Sequence, residues 1–430
     1  MKNFYHLLAN TLIASITNMS VWFAIIFYVY LQTNSVMATS IMSGIYSTAV
    51  ASSGIWFGSL VDHYKKKYVM MASSFVSLLL FSVGFGVYLT TAPEEFTQIT
   101  SVRLWVLIPI LLFGVVVGNI RTIALPTLVT LLVAEKKRDK ANGLVGTTSG
   151  IAFTITSVIS GFLVSLGGMF YVMILAIAMT LLSILHLWLV PIVEKKIVHL
   201  QKGKSKIDMA GTLKAIFKIS GLAALILFTT FNNFLGGVFM SLMDAYALSM
   251  VSVEVWGLLL GLISTAFIMG GMMIAKFGLG KNPLLALFTA NIIMWIICCF
   301  FTIYPSVILL VAGMYAYLCV VPYIEASEHT IIQKVVPVER QGRVFGFAQS
   351  VEQAASPITA FAIGPIAQYL FIPFMTTGAG VELIGWWFGT GHDRGIALVF
   401  TVTGIIGLCM TLIAFNSKQY RVLSQQYLSK

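Results

Sequence analysis

Hydrophobic spans fill nearly all of this 430-residue chain, and its positive charge falls almost entirely into every second gap between them. Twelve stretches approach the roughly 20 apolar residues that an α-helix needs to cross a bilayer. They lie at about 7–31, 36–61, 68–90, 103–130, 143–165, 169–190, 221–243, 254–275, 283–303, 306–330, 344–371 and 393–415. Charged residues make up 10% of the chain, against about 25% in soluble domains. The expectation is an all-α integral membrane protein with twelve transmembrane helices.

Lys and Arg concentrate on the cytoplasmic side of a membrane protein. With the N-terminus inside, 23 of the 26 basic residues are inside. They are Lys2, Lys65 to Lys67, Lys136, Lys137, Arg138, Lys140, the seven lysines of 191–220, Lys276, Lys281, Lys334, Arg340, Arg343, Lys418, Arg421 and Lys430. Arg103 and Arg394 flank outer ends, and Arg121 lies within a span. Both termini are therefore expected in the cytoplasm of a multi-pass cell-membrane protein. The net charge of +11 reads as topology and contact with anionic lipid heads. Scattered over seven short segments, it does not suit nucleic acid. The first span lacks a small-residue cleavage site and reads as a retained helix. Cys298, Cys299, Cys319 and Cys409 fall inside spans and read as small buried hydrophobes. No metal-ligand spacing and no cofactor motif is present.

The longest basic gap, 191–220, divides the spans six and six. This predicts an N-terminal bundle over 1–190, a linker over 191–220, a C-terminal bundle over 221–415 and a tail over 416–430. Transporters are often built from such repeats, with substrate bound between halves near the midplane. A local repeat supports the division. Gly58-Ser-Leu-Val-Asp62-His-Tyr-Lys-Lys-Lys67 ends span two, and Gly271-Met-Met-Ile-Ala275-Lys-Phe-Gly278-Leu-Gly-Lys281 ends span eight. Gly54-x-x-x-Gly58, Gly114-x-x-x-Gly118, Gly146-x-x-x-Gly150 and Gly257-x-x-x-Gly261 allow close helix packing. Asn232-Asn233 followed by Gly236-Gly237 predicts a weak point in span seven.

These features resemble the major facilitator superfamily over the whole chain. The Gly58…Asp62…Lys67 loop, its altered copy at 271–281 and the twelve-span plan carry the resemblance. Gln333-Lys-Val-Val-Pro-Val-Glu-Arg-Gln-Gly342-Arg343-Val-Phe-Gly346 and the stretch 372–395 are similar to the macrolide-efflux type of drug/proton antiporter. The chain departs from that pattern at three places. Lys65 stands where the loop usually has Gly. The span-five antiporter signature is reduced to Ser157-Val-Ile-Ser160-Gly161. Arg121 lacks the following Gln-Gly. The resemblance implies two pseudo-symmetric six-helix bundles. It also implies that Asp62, with Gly58 and Arg343, forms a gate by capping span eleven near 344. Asn18, Trp22, Phe23, Asn119, Asn232, Asn233, Tyr315 and Tyr323 fall on spans that line the substrate cavity in this family. Sparse polar groups among aromatics suit a lipophilic or amphiphilic small molecule.

Ionisable groups inside a bilayer are costly and mark function. Arg121 lies 18 residues past Arg103, roughly 27 Å along a helix. Its permanent charge calls for a partner, a cavity or an anionic substrate; Glu325 or Glu328 is the expected partner in one state of a transport cycle. Glu325, Glu328 and His329 share a face of span ten. Such a set suits proton exchange, and equally an interfacial ion-pair group with Lys334. Glu352 lies nine residues past Arg343, roughly 13 Å into span eleven. Desolvation penalises its charged form, so it is the leading candidate for proton coupling. Hydrogen bonding to Gln349 or Gln353 is the structural alternative. Asp244 and Glu254 bracket an outer loop and read as solvated.

The expectation is a secondary transporter exporting a hydrophobic or amphiphilic compound against proton entry, as a monomer among membrane lipids. A lipid flippase or a substrate/cation symporter is the alternative on the same scaffold. Nothing favours a membrane enzyme or a sensor. Around Lys281, Ala275 and Asn282 stand where a phosphate loop needs Gly and Ser/Thr.

Overall fold

The computed structural model describes residues 2–33, 36–192 and 209–429. Five of the seven linker lysines fall in 193–208, outside the described residues. The described chain is helical, with no strand among the described residues. A chain in lipid must satisfy its backbone groups within each segment, and helices do this.

The long helices are α1 (Lys2–Thr33), α2 (Val36–His63), α3 (Lys66–Leu89), α4 (Val102–Gly118), α5 (Ile120–Leu132), α6 (Arg138–Gly167), α7 (Met169–Leu189), α8 (Leu222–Leu248), α9 (Val253–Phe277), α10 (Pro283–Phe300), α11 (Val307–Val335), α12 (Gln341–Ile366), α13 (His392–Phe415) and α14 (Lys418–Ser429). Among the described residues, 11 helical segments are long and apolar enough to cross a membrane. The helix α2 is not among them despite its 28 residues. Ser, Thr and Gly occupy 11 of its positions, which lowers its hydropathy and lets other helices approach closely. Large apolar side chains stay exposed along the spans, among them Trp56, Leu258, Ile308 and Phe361. Lipid is the solvent that suits such a surface.

Two elements differ from expectation. Span four is two helices, α4 and α5, broken at Asn119, where the backbone amide donates to both Val115 and Val116 carbonyls. Span seven has no weak point: α8 runs unbroken through Asn232, Asn233, Gly236 and Gly237. Asn233 Nδ2 donates back to the Thr229 carbonyl within that helix, so its amide does not compete for the ladder. Cys409 is exposed rather than buried, whereas Cys298 and Cys299 are buried.

The chain forms two compact units. The first contains residues 1–141, 148–214 and 336–350; the second contains 142–147, 215–335 and 351–430. The first unit's core gathers Val21, Ile25, Met42, Phe81, Ile108 and Leu111. The second unit's core is aromatic. Phe239 stacks on Phe400 at 5.1 Å, and a Cβ at Gly407 would meet the Trp295 indole. Arg394, within the stretch 372–395, is buried there. It donates to the Phe388, Thr302 and Ile303 carbonyls and to the Tyr246 hydroxyl, all at 2.7–3.1 Å. The tail helix α14 belongs to the second unit: Asn282 Nδ2 donates to Ser424 Oγ, and Lys334 lies over the Tyr427 ring at 4.3 Å.

Candidate functional site

In the first unit, glycines bring α2 against the start of α12. A Cβ at Gly58 would meet the Gly342 carbonyl, and one at Gly346 would meet the Gly54 carbonyl. This closeness delivers Asp62, at the end of α2, to the N-terminus of α12. Its Oδ1 accepts from the Gly342 amide at 2.7 Å and its Oδ2 from the Arg343 amide at 3.0 Å. The first amides of a helix have no partner within it and carry partial positive charge. A carboxylate from another helix satisfies two of them here. Arg343 Nε lies 3.8 Å from Oδ2, and both side chains are buried. His63 Nδ1 contacts the Ser59 carbonyl at 2.8 Å and Nε2 contacts Arg343 Nη2 at 3.1 Å. That network assigns the ring hydrogen to Nδ1, donating to Ser59, while Nε2 accepts from Arg343.

Arg121 opens α5 just after the break at Asn119. Its guanidinium donates to Asn10 Oδ1 at 3.0 Å, Ser74 Oγ at 2.5 Å and Ser183 Oγ at 3.1 Å. Asn10 is held in turn by the Ser183 carbonyl at 2.8 Å. Helices α1, α3 and α7 thus disperse a buried charge over neutral dipoles of its own unit. In this structure these partners of the guanidinium are neutral, two hydroxyls and one amide oxygen.

In the second unit, three helices converge on a pair of carboxyl groups. Thr229 Oγ1 of α8 lies 2.7 Å from Glu352 Oε1 of α12 and 3.3 Å from Glu328 Oε1 of α11. Glu328 and Glu352 thus share the Thr229 hydroxyl as a common contact. Two carboxyl groups held side by side favour a state in which one of them carries a proton. Glu325, one turn before Glu328, interacts electrostatically with both. Glu328 is buried, Glu352 half-buried and Glu325 exposed. His329 is half-buried at the next position of α11. Glu352 takes Thr229 as partner, not Gln349, whose amide exchanges hydrogen bonds with Thr122. Lys334, four residues on from Thr330, lies over the Tyr427 ring at 4.3 Å.

A family model described as Major Facilitator Superfamily matches residues 7–360. The chain belongs to the major facilitator superfamily. Among solved structures, it is similar to a bacterial homologue of the iron transporter ferroportin in its outward-facing state. The TM-score is 0.71 at 13% identity, covering 97% of this chain and 100% of that one. It is similar to the human organic anion transporter MFSD10, with TM-score 0.66 at 11% identity, covering 98% and 99%. It is also similar to the proton:xylose symporter XylE, with TM-score 0.63 at 12% identity, covering 99% of each chain. At these identities the likeness shows the fold. No curated protein sequence matches the chain significantly. Family and neighbours point to a transporter of small molecules rather than an enzyme.

The transporter's remaining candidate residues separate into packing and open positions. Asn119 Nδ2 donates to the Tyr46 hydroxyl, and Tyr46 stacks on Trp22 at 4.1 Å. Asn18 packs on Gly118, where a Cβ would meet its amide. Phe23 sits edge-on to Phe153. Trp22 and Asn119 therefore meet α2 through Tyr46, which sequence reasoning missed, while Asn18 lies against α4. Asn232 is spent inside the second unit: its Nδ2 donates to Asn291 and its Oδ1 accepts from Trp295. Tyr315 accepts from Thr265 at 3.4 Å, and Tyr323 packs beside Ile274 and Ala326. Thr229 was also missed, because a lone Thr in an apolar span carries no signal until its partners are known. Asp244, read as solvated, accepts the Trp256 indole N–H at 2.9 Å.

Proposed function

We propose that the protein is a secondary transporter that couples proton entry to the export of a hydrophobic or amphiphilic small molecule by alternating access. The observation that carries this reading is the convergence of Glu328 and Glu352, from two helices, on the Thr229 hydroxyl. The pair holds one proton while the two groups touch. Separating them, or presenting one to water, releases it. The groups sit on α8, α11 and α12, so a change in how those helices pack changes the proton's affinity. Glu325, exposed and within electrostatic reach, is the group through which a proton arrives or leaves. Asp62 is the charge that holds α2 to α12 and must let go for that junction to move, with Gly58 providing the close approach and Arg343 the second contact. The charge pattern supports a cell-membrane protein with both termini in the cytoplasm.

The experiment is transport in proteoliposomes with and without a pH gradient. Glu352→Gln and Glu328→Gln should each lower gradient-driven export at least tenfold while leaving substrate exchange without a gradient. Intact gradient-driven export in both variants would remove the coupling role. Accumulation driven by the gradient in the uptake direction would make the protein a symporter using the same cluster.

A further inference from the structure

The second unit also holds a cavity that neither the carboxyl pair nor the Asp62 cap uses. Its volume is ≈ 260 Å³, and helices α8 to α11 line it. Four of its residues are aromatic: Phe239, Trp256, Phe301 and Tyr317. The Phe239 ring lies 6.0 Å from Phe301 and 6.1 Å from Tyr317, centroid to centroid. Phe239 and Trp256 are buried, so these walls are part of the packed unit rather than side chains free to swing.

Among the described lining residues, Asp244 is the one carboxylate, and it is exposed at the mouth. The Trp256 indole N–H holds its Oδ1 at 2.9 Å. Its Oδ2 has no hydrogen bond and no ion pair among the described residues. One carboxylate oxygen is thus tied to the aromatic wall and the other remains for a ligand. Ring faces attract cations through their quadrupole, Trp most strongly. The same faces and the same carboxylate repel an anion. A purely apolar occupant would leave the carboxylate at the mouth with no role. Met240, Met243 and Met314 supply polarizable, adaptable surface between the rings.

We propose that this cavity binds a small monovalent organic cation bearing an apolar group, such as a quaternary ammonium with one aromatic ring. The charge lies against Asp244 and Trp256, and the apolar part against Phe239, Phe301 and Tyr317. The volume falls just under the roughly 300–1,000 Å³ usual for drug-sized sites, which limits the ligand's size. The site does not depend on the direction of transport or on its driving force.

Gly236 offers a clean test. It lines the cavity, and a Cβ there would meet nothing within 4 Å. Gly236→Leu fills the cavity and improves the helix propensity of α8. The measurement is equilibrium binding of radiolabelled benzyltriethylammonium to the full-length protein in lipid nanodiscs. Wild type should bind it saturably at one site. The unlabelled cation should displace it, whereas benzenesulfonate and the neutral carbon isostere should not. Asp244→Asn should weaken binding at least tenfold. Gly236→Leu should abolish it with the thermal unfolding temperature unchanged. Absence of saturable binding to wild type, or binding unaltered by Gly236→Leu, overturns the proposal. Equal displacement by the neutral isostere also overturns it and assigns the cavity to an apolar occupant such as a lipid chain. The displacement series uses wild type alone, so the proposal stays falsifiable if a variant fails to fold.

Discussion

Two junctions in this molecule share a glycine-built approach and close it with different chemistry. In the first unit, α2 meets the start of α12 through Gly54, Gly58, Gly342 and Gly346. In the second unit, α9 meets residues 142–147 of α6, where a Cβ at Gly271 would strike Thr147 and the Gly143 carbonyl. The first junction is sealed by a charge, with Asp62 capping α12 and Arg343 beside it. The second has Ala275 at the position equivalent to Asp62. Beside it, neutral groups tie the start of α6 to α11, with Asn142 Nδ2 donating to Thr330 at 2.8 Å and to Gln333 at 3.0 Å. Backbone proximity is thus what the repeat preserves, and charge is what it varies. Of the two junctions, the first is the one whose closure includes a charge.

The largest effect should come from removing the proximity that both junctions share. Gly58→Leu and Gly271→Leu each place side-chain atoms where backbone already sits, an overpacking cost of about 1–3 kcal/mol or more. Thermal unfolding of the purified variants should show comparable losses. A tolerated Gly271→Leu would break the equivalence of the two junctions.

A smaller and more selective effect is expected at the charge. Asp62→Asn removes a helix-capping charge worth about 0.3–1 kcal/mol, rising to ~2 kcal/mol when partly buried. Turnover should fall while substrate affinity stays near wild type, as measured by initial rates and equilibrium binding. Asn142→Ala should act on stability instead, since it removes neutral hydrogen bonds worth about 0.5–1.5 kcal/mol each. Unchanged turnover in Asp62→Asn would show that the charged cap is structural only.

The smallest effect belongs to Ala275. The residue is half-buried and takes part in no cap, so Ala275→Ser should stay within about 0.5 kcal/mol and leave turnover unchanged. A drop in turnover as large as that of Asp62→Asn would sharpen the comparison differently, placing a polar-sensitive step at both junctions.

Much of the fold is legible in the chain because the bilayer imposes length and hydropathy on every span. The exception is instructive: α2 is written in small residues, so hydropathy undercounts it although its length and its Gly54 and Gly58 mark it as a packed helix. Local composition misleads at two other places. Asn232 and Asn233 look like a helix breaker, but Asn291 and Trp295 from α10 absorb Asn232, and α8 stays whole. Asn119 looks ordinary, yet the helix breaks there, just before Arg121. The site is legible in its residue types and not in its partnerships. Spacing places Glu352 at depth and Glu325 one turn from Glu328. It cannot reveal that Thr229, more than a hundred residues from Glu352 in sequence, joins the pair. Nor can it show that three neutral side chains from α1, α3 and α7 hold Arg121. Those facts arise from tertiary packing, which brings together residues that no local window contains.

On the proposed reading Glu328 and Glu352 share a proton, and infrared spectroscopy can look for it without knowledge of the substrate. The purified protein at neutral pH should show the carbonyl band of a protonated carboxylic acid that shifts in Thr229→Val, because the hydroxyl contacting both groups is gone. That band should disappear in Glu328→Gln and in Glu352→Gln, where the remaining carboxyl loses the partner that shares its proton. A wild-type spectrum without a protonated-carboxyl band, or a band indifferent to all three substitutions, would contradict the coupling site described here.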